Sequence, residues 1–198
     1  AWNPAFGTDV TGYAIERAER ADGPFSRIAE VGSDVLTWQG GAVPDAGAWY
    51  QVRSLADAAE GRATDVRRVH AITPQTYWLT GAPIEGIPWT TDLYGVARLP
   101  RDLDSGPYPV VILLHGNHGN CRGPDGDFCS QTTGHECGFR GYDTAPNAEG
   151  LVYLAETIAA QGYVAVSISG NMMNCRESAI TARGNLVLAH LEAWVGWN

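Results

Sequence analysis

The sequence predicts a multi-domain protein: a small antiparallel β-sandwich over residues 1–72, followed by a mostly parallel α/β sheet with flanking helices over residues 73–198. Short alternating runs, separated by turns about every eight to twelve residues, indicate the sandwich. The continuous apolar run Pro109–Leu114 is typical of a strand buried on both faces of a parallel sheet. Strand and helix patterns alternate after that run, as in an α/β domain.

The strands of the first segment are predicted from alternation between turn-forming stretches such as Ala21–Pro24 and residues 40–47. They are Tyr13–Ala18, Phe25–Val31, Val35–Trp38, Trp49–Leu55 and Thr64–Ile72.

Three pieces of this segment, Trp2–Pro4, Val10–Arg17 and Tyr50–Ser54, together resemble a fibronectin type III domain. The resemblance implies that Trp2 belongs to the middle of the second strand, so that the first strand is missing from this chain. We therefore expect a truncated fibronectin type III-like sandwich over residues 1–72.

The second segment contains three predicted strands, Trp89–Pro100, Pro109–Leu114 and Tyr163–Ile168. Two helices are predicted from apolar residues at helical spacing: residues 148–161, with Asn147 as N-cap and Gly162 as the stop, and Ser178–Val195.

The run His115-Gly116-Asn117-His118-Gly119 directly follows the second of these strands. A turn at this point places backbone N–H groups at the carboxyl edge of a sheet, where they can stabilise a developing oxyanion. The alternative is a strand-to-helix turn that uses glycines for steric reasons around a packed His115.

This turn, together with the strand Gly162–Ser169, is similar to α/β-hydrolases of the secreted esterase, platelet-activating-factor acetylhydrolase and cutinase-like kind. The similarity covers residues from about 77 to 198. It implies that Asn117 supplies one oxyanion-hole N–H, and that a serine on a G-x-S-x-G elbow, an acid and a histidine complete the site.

A serine with that setting is missing from the sequence. Ser105 lies in Asp-Ser-Gly-Pro, Ser167 and Ser169 lie in a predicted strand and its exit, and Ser178 opens a predicted helix. We therefore expect this chain to be the N-terminal half of such a domain, inactive alone, with nucleophile, acid and base beyond Asn198. A catalytic role is not expected for the five histidines, His70, His115, His118, His135 and His190.

Four cysteines, Cys121, Cys129, Cys137 and Cys175, lie in or next to a glycine-rich loop. Zinc ligands are usually paired two to four residues apart, whereas the cysteines of this loop are more widely spaced. Two disulfides are therefore expected, in any of three connectivities, with Cys175 tying the loop to the sheet. Asp125-Gly126-Asp127 is predicted to be a solvated turn rather than a calcium loop. Neither a metal nor a cofactor is expected.

The charge and hydropathy of the sequence limit the classes of partner that this protein is expected to bind. With 13 Arg, no Lys and 22 Asp or Glu, the net charge is −9, which argues against a nucleic-acid partner. The longest aliphatic run, Val110–Leu114, is far too short to span a membrane. The even number of cysteines favours an oxidising, secreted location.

These observations predict a fragment of a secreted serine hydrolase that cleaves carboxylic esters of unknown size. A C-terminal remainder or a second chain is expected to complete the sheet. The alternative is a non-catalytic extracellular binding or assembly module, in which the sandwich serves adhesion and the half-sheet pairs with another chain.

Overall fold

The structure is a computed structural model that describes residues 1–5, 9–57, 60–176 and 180–196. Its contacts divide the chain into two compact units. Unit 1 comprises Ala1–Ala71, Pro100–Pro107 and Ala160–Gly162, and unit 2 comprises the remainder.

Unit 1 contains one antiparallel sheet of five strands. The strands are β1 (Val10–Ala18), β2 (Ser26–Gly32), β3 (Ala48–Ala56), β4 (Glu60–Ala63) and β5 (Arg67–Val69). Their order is β2-β1-β3-β4, and β5 also pairs with β3. β1 is buried because it lies inside the sheet, and Trp2 packs edge-on against its Tyr13 with ring centroids 5.6 Å apart.

Two of the predicted strands of this segment are not formed as expected. Val35–Trp38 is not a strand; instead, the Leu36 carbonyl accepts a hydrogen bond from the Trp2 N–H at 3.0 Å. Thr64–Ile72 is interrupted, and β5 is the part of it that pairs in this sheet. Within the described residues of unit 1 a second sheet is not present, so the fibronectin type III resemblance stays a prediction.

Unit 2 is built on a four-stranded sheet with the strands β6 (Ile72–Pro83), β7 (Thr90–Pro100), β8 (Val110–Leu114) and β12 (Val164–Ile168). Their order in the sheet is β6-β7-β12-β8. β12 is antiparallel to β7 and parallel to β8. Every residue of β12 is buried, because both faces of the strand are covered: Val166 and Ile168 pack in one core cluster and Ala165 in another.

The predicted burial of Pro109–Leu114 on both faces is wrong. β8 is half-buried, and Val110 at its start is 45% exposed. The reason is its position: β8 is an edge strand of the described sheet, whereas an apolar run is fully covered only inside a sheet.

Two α-helices are described, α1 (Val152–Ala159) and α2 (Ile180–Gly196). A 3-10 turn, Glu149–Leu151, precedes α1, and Asn147 does not cap the helix. The start of the second predicted helix, Ser178, lies outside the described residues. Leu186 of α2 packs with Val166 and Ile168 of β12 in the core of unit 2.

The predicted fold class is also wrong. Strand occupies 39% of the described structure and helix 18%, and most strand pairs are antiparallel, so this is a mainly β protein rather than an α/β-hydrolase with flanking helices. A parallel pair needs a long crossover, and β8 and β12 form the one parallel pair in the described chain. None of the described helices is long and apolar enough to cross a membrane.

Candidate functional site

The turn His115–Gly119 leaves the sheet at the carboxyl end of β8. Because β8 and β12 are parallel, the segment that follows β12 begins at the same edge. These two segments, 115–119 and 169–176, form the candidate site. Most of the contacts that fix the turn come from the second segment and from α2.

The buried ring of His115 joins the two segments. Its Nδ1 lies 2.8 Å from the Gly116 carbonyl, which can only accept, so Nδ1 carries the proton. Its Nε2 accepts a hydrogen bond from the Gly170 N–H at 2.8 Å. Burial lowers the pKa of His115 to about 4, and the nearby positive charge of Arg183 acts in the same direction. His115 is therefore a neutral structural residue at neutral pH.

Asn117 is exposed, and its side chain is held by a contact with the segment that follows β12. Its Oδ1 accepts a hydrogen bond from the Cys175 N–H at 2.8 Å. Among the hydrogen bonds between described residues, none is donated by the Asn117 N–H. An incoming carbonyl oxygen could therefore accept this hydrogen bond without displacing a protein group.

Further contacts fix the two ends of the turn. The Arg183 guanidinium donates to the His115 carbonyl and, at 2.9 Å, to Oδ1 of Asn174. The Asn147 side chain donates to the Gly119 carbonyl at 2.9 Å. A Cβ on Gly119 would lie 2.7 Å from the backbone nitrogen of Phe128, so the close approach of these two backbones requires glycine there.

The glycine-rich loop after the turn carries a small sheet of order β10-β9-β11 and two disulfides. Its strands are β9 (Cys121–Gly123), β10 (Gly126–Phe128) and β11 (Asp143–Thr144). The disulfides join Cys121 to Cys137 and Cys129 to Cys175. The second one ties the loop to the segment after β12. The zinc alternative, in which Cys121, Cys129 and Cys137 bind the metal with His135 or His118, loses its three cysteine ligands to the disulfides.

Two buried asparagines hold this loop against the sheet. The Asn120 side chain accepts from the Ser130 N–H and donates to the Ser130 carbonyl, both at 2.7 Å. The Asn171 side chain donates to the carbonyls of His135 and Ala145 and accepts from Asn147 at 2.8 Å. Asn147 and Asn171 thus connect the loop to both segments of the candidate site.

A second polar cluster under the loop was not predicted from the sequence. His135 is buried, stacks on Tyr94 with ring centroids 3.8 Å apart, and has its Nδ1 2.9 Å from Oγ of Ser169. The Tyr94 hydroxyl donates to Glu149 at 2.5 Å. Burial lowers the pKa of His135 and raises that of Tyr94, the latter with help from the Glu149 carboxylate. A signal for this cluster is absent from the linear sequence, because its members lie far apart.

Apart from the buried pair of His135 and Ser169, the structure does not bring Ser105, Ser167, His118 and His190 together. Ser167 and Ser169 are fully buried, and Ser105 donates to Asp102 in the 3-10 turn Leu103–Ser105. Ser178 lies outside the described residues. His118 is exposed beside the turn, and His190 of α2 is buried, with its Nδ1 2.6 Å from the Tyr77 hydroxyl.

The described part of the chain contains no group of three or more His, Cys, Asp or Glu that could hold a metal ion. Comparison with protein-family models, with curated proteins and with solved structures finds no match to this chain. The two disulfides are compatible with an extracellular location.

Proposed function

We propose that this chain supplies the oxyanion-stabilising turn of a secreted serine hydrolase that cleaves carboxylic esters by acyl transfer. The Asn117 N–H donates to the oxyanion of the tetrahedral intermediate. The serine, acid and histidine are contributed by residues outside this chain. The resemblance of His115–Gly119 to the turn of secreted esterases supports this proposal.

One observation carries the proposal: the backbone N–H of the exposed Asn117 has no acceptor among the described residues, and the turn around it is held by contacts at His115, at the Asn117 side chain and at Gly119. Ester cleavage develops negative charge on the former carbonyl oxygen. A fixed donor stabilises that charge without reorganising, and losing one such donor typically lowers kcat by about 10²–10³-fold.

The state of His115 fits a supporting role rather than that of a base. Both ring nitrogens are already used, one as donor and one as acceptor, and the pKa is lowered to about 4. A general base needs a free nitrogen within reach of the nucleophile and a pKa near the working pH. In this proposal His115 therefore shapes the turn, and the base is another histidine.

The test uses the longer polypeptide that contains this sequence, with p-nitrophenyl acetate as substrate and a fluorophosphonate as the serine probe. Asn117→Pro removes the backbone N–H, whereas Asn117→Ala keeps it and serves as the matched control. We expect kcat to fall at least about 100-fold in the proline variant and about tenfold or less in the alanine variant. Near-UV circular dichroism checks that both variants are folded.

Two results would overturn the proposal. The first is a folded polypeptide that neither hydrolyses the ester nor reacts with the fluorophosphonate. The second is equal loss of kcat in the proline and alanine variants, since the backbone N–H would then make no separate contribution.

A further inference from the structure

The oxyanion turn depends on a residue that is itself held in an unfavourable conformation. Cys175 has φ of 60°, the one positive φ at a non-glycine residue in the described chain. A side chain in this left-handed region persists where the surroundings fix it. For Cys175 those surroundings include the disulfide to Cys129 and the hydrogen bond from its N–H to Asn117.

The two disulfides differ in exposure. Cys129 is exposed and Cys175 half-buried, whereas Cys121 of the other disulfide is fully buried. Reduction begins with attack of a thiolate on a disulfide sulfur, so accessible disulfides react first. The Cys129–Cys175 disulfide is therefore the more accessible one, and it lies one hydrogen bond away from the proposed oxyanion donor.

We propose that Cys175 and the Asn117 side chain are positioning residues for ester cleavage, and that the Cys129–Cys175 disulfide keeps the oxyanion donor in place. This inference rests on the proposed function. When the disulfide is intact, Cys175 presents its N–H to Asn117 and the turn is held. When it is reduced, the backbone at 175 relaxes toward negative φ, the hydrogen bond is lost, and the Asn117 N–H loses its alignment.

The reductant is an external dithiol. One of its thiolates attacks the sulfur of Cys129, the bond between the two protein sulfurs breaks, and Cys175 leaves as a thiolate that takes a proton. The second thiol of the reductant then displaces Cys129. The protein gains two electrons and two protons as two thiols, and the dithiol becomes a cyclic disulfide.

The experiment follows two quantities in the longer polypeptide: hydrogen exchange of the Cys175 amide, and kcat and KM for p-nitrophenyl acetate. In Cys129→Ala/Cys175→Ala we expect the amide to exchange at least about tenfold faster. We expect kcat to fall about tenfold with KM changed less than about twofold, because misalignment affects the transition state more than substrate binding.

Cys129→Ala/Cys175→Gly is the matched variant, because glycine accepts the positive φ without a disulfide. It should recover kcat to within about threefold of the wild type. Dithiothreitol should lower kcat of the wild type and leave both double variants unchanged, which assigns the effect to this disulfide.

Asn117→Ala tests the same link with both disulfides intact, should the double variants fail to fold. It should show the same fast exchange at Cys175 and the same loss of kcat, and reduction should cause little further loss.

Each outcome decides the inference. If kcat falls on reduction together with faster exchange at Cys175, the inference is supported. If the protein hydrolyses the ester but kcat is the same with the Cys129–Cys175 disulfide intact or reduced, the inference is overturned and the proposed function stands. If hydrolysis is absent in the oxidised wild type, the proposed function fails and the inference with it, and the exchange data then report only whether the disulfide holds Cys175.

Discussion

The Nε2 atom of His115 accepts a hydrogen bond from the backbone N–H of Gly170 at 2.8 Å, and both groups are buried where β8 and β12 end. His115→Phe fills similar space but leaves that N–H without its acceptor. We expect it to lower the free energy of unfolding by about 1–3 kcal/mol, the cost of an unsatisfied buried donor. Urea unfolding measures this. The exposed His118→Phe should stay within about 0.5 kcal/mol of the wild type, and equal effects at the two positions would contradict the prediction.

A pH dependence follows from the two histidines that burial keeps neutral. The pKa of both His115 and His190 is lowered to about 4 from an ordinary value of 6.5. The unfolded chain therefore binds more protons between these values, so stability is full above pH 6.5 and falls as the pH drops toward 4. At about pH 5 each histidine should reduce the free energy of unfolding by about 2 kcal/mol.

The check is urea unfolding at about pH 7 and pH 5 of the wild type and His190→Asn, whose side-chain amide can either accept from or donate to the Tyr77 hydroxyl and does not titrate. The asparagine variant should lose about 2 kcal/mol less than the wild type between these pH values. Leu186→Ala, which truncates a buried side chain of the same helix, should be destabilised relative to the wild type by the same amount at both pH values. An unchanged pH dependence in His190→Asn would count against this assignment.

Alanine substitutions at Gly119 and at Gly184 are expected to change the stability of the protein in opposite directions. A Cβ at 119 would approach the Phe128 backbone nitrogen to 2.7 Å, whereas a Cβ at 184, in α2, meets nothing within 4 Å. Gly119→Ala should destabilise by about 1–3 kcal/mol because backbone has to move. Gly184→Ala should stabilise by about 1 kcal/mol through helix propensity. Thermal unfolding of both variants measures whether each substitution stabilises or destabilises the protein. Stabilisation by Gly119→Ala would contradict the close approach of the Gly119 and Phe128 backbones.

Asn171 is expected to be one of the most sensitive polar positions of unit 2. Its fully buried side-chain amide donates to the carbonyls of His135 and Ala145 and accepts from the side chain of Asn147. Asn171→Ala should cost about 3 kcal/mol, because several buried groups lose partners together. Asn185→Ala removes one exposed hydrogen bond and should cost about 0.5 kcal/mol. Chemical unfolding of the two variants distinguishes the network from a single bond.

The sequence predicts local features of this structure better than long-range ones. The buried strand Tyr163–Ile168 is found as β12 because unalternated β-branched residues suit a covered strand. The same pattern did not reveal that β8 lies at an edge, since periodicity carries no information on neighbours. β6 was missed because its residues are mostly exposed and include Pro74 and Gly81, which usually interrupt strands.

Within the site, the position of the turn His115–Gly119 was predictable because a buried strand directly precedes it. The residues that hold this turn in place could not be predicted. Cys175 and Gly170 meet the turn through the pairing of β8 with β12, and the Cys129–Cys175 bond was one of three open pairings. The contact of His135 with Ser169 depends on a loop whose path is fixed by disulfides and buried asparagines rather than by local pattern.

The parallel pairing of β8 with β12 also constrains the order in which the chain can fold. Roughly 50 residues separate the two strands, so a large loop has to close before they pair. Cys121 and Cys137 lie 16 residues apart and can join early, whereas Cys129 has to await Cys175, 46 residues further on and beyond β12. During synthesis Cys129 can form a non-native disulfide with Cys121 or Cys137, which are nearer in the sequence than Cys175. We therefore expect a disulfide isomerase, which reshuffles such pairs until β12 has docked, to speed the folding of this chain.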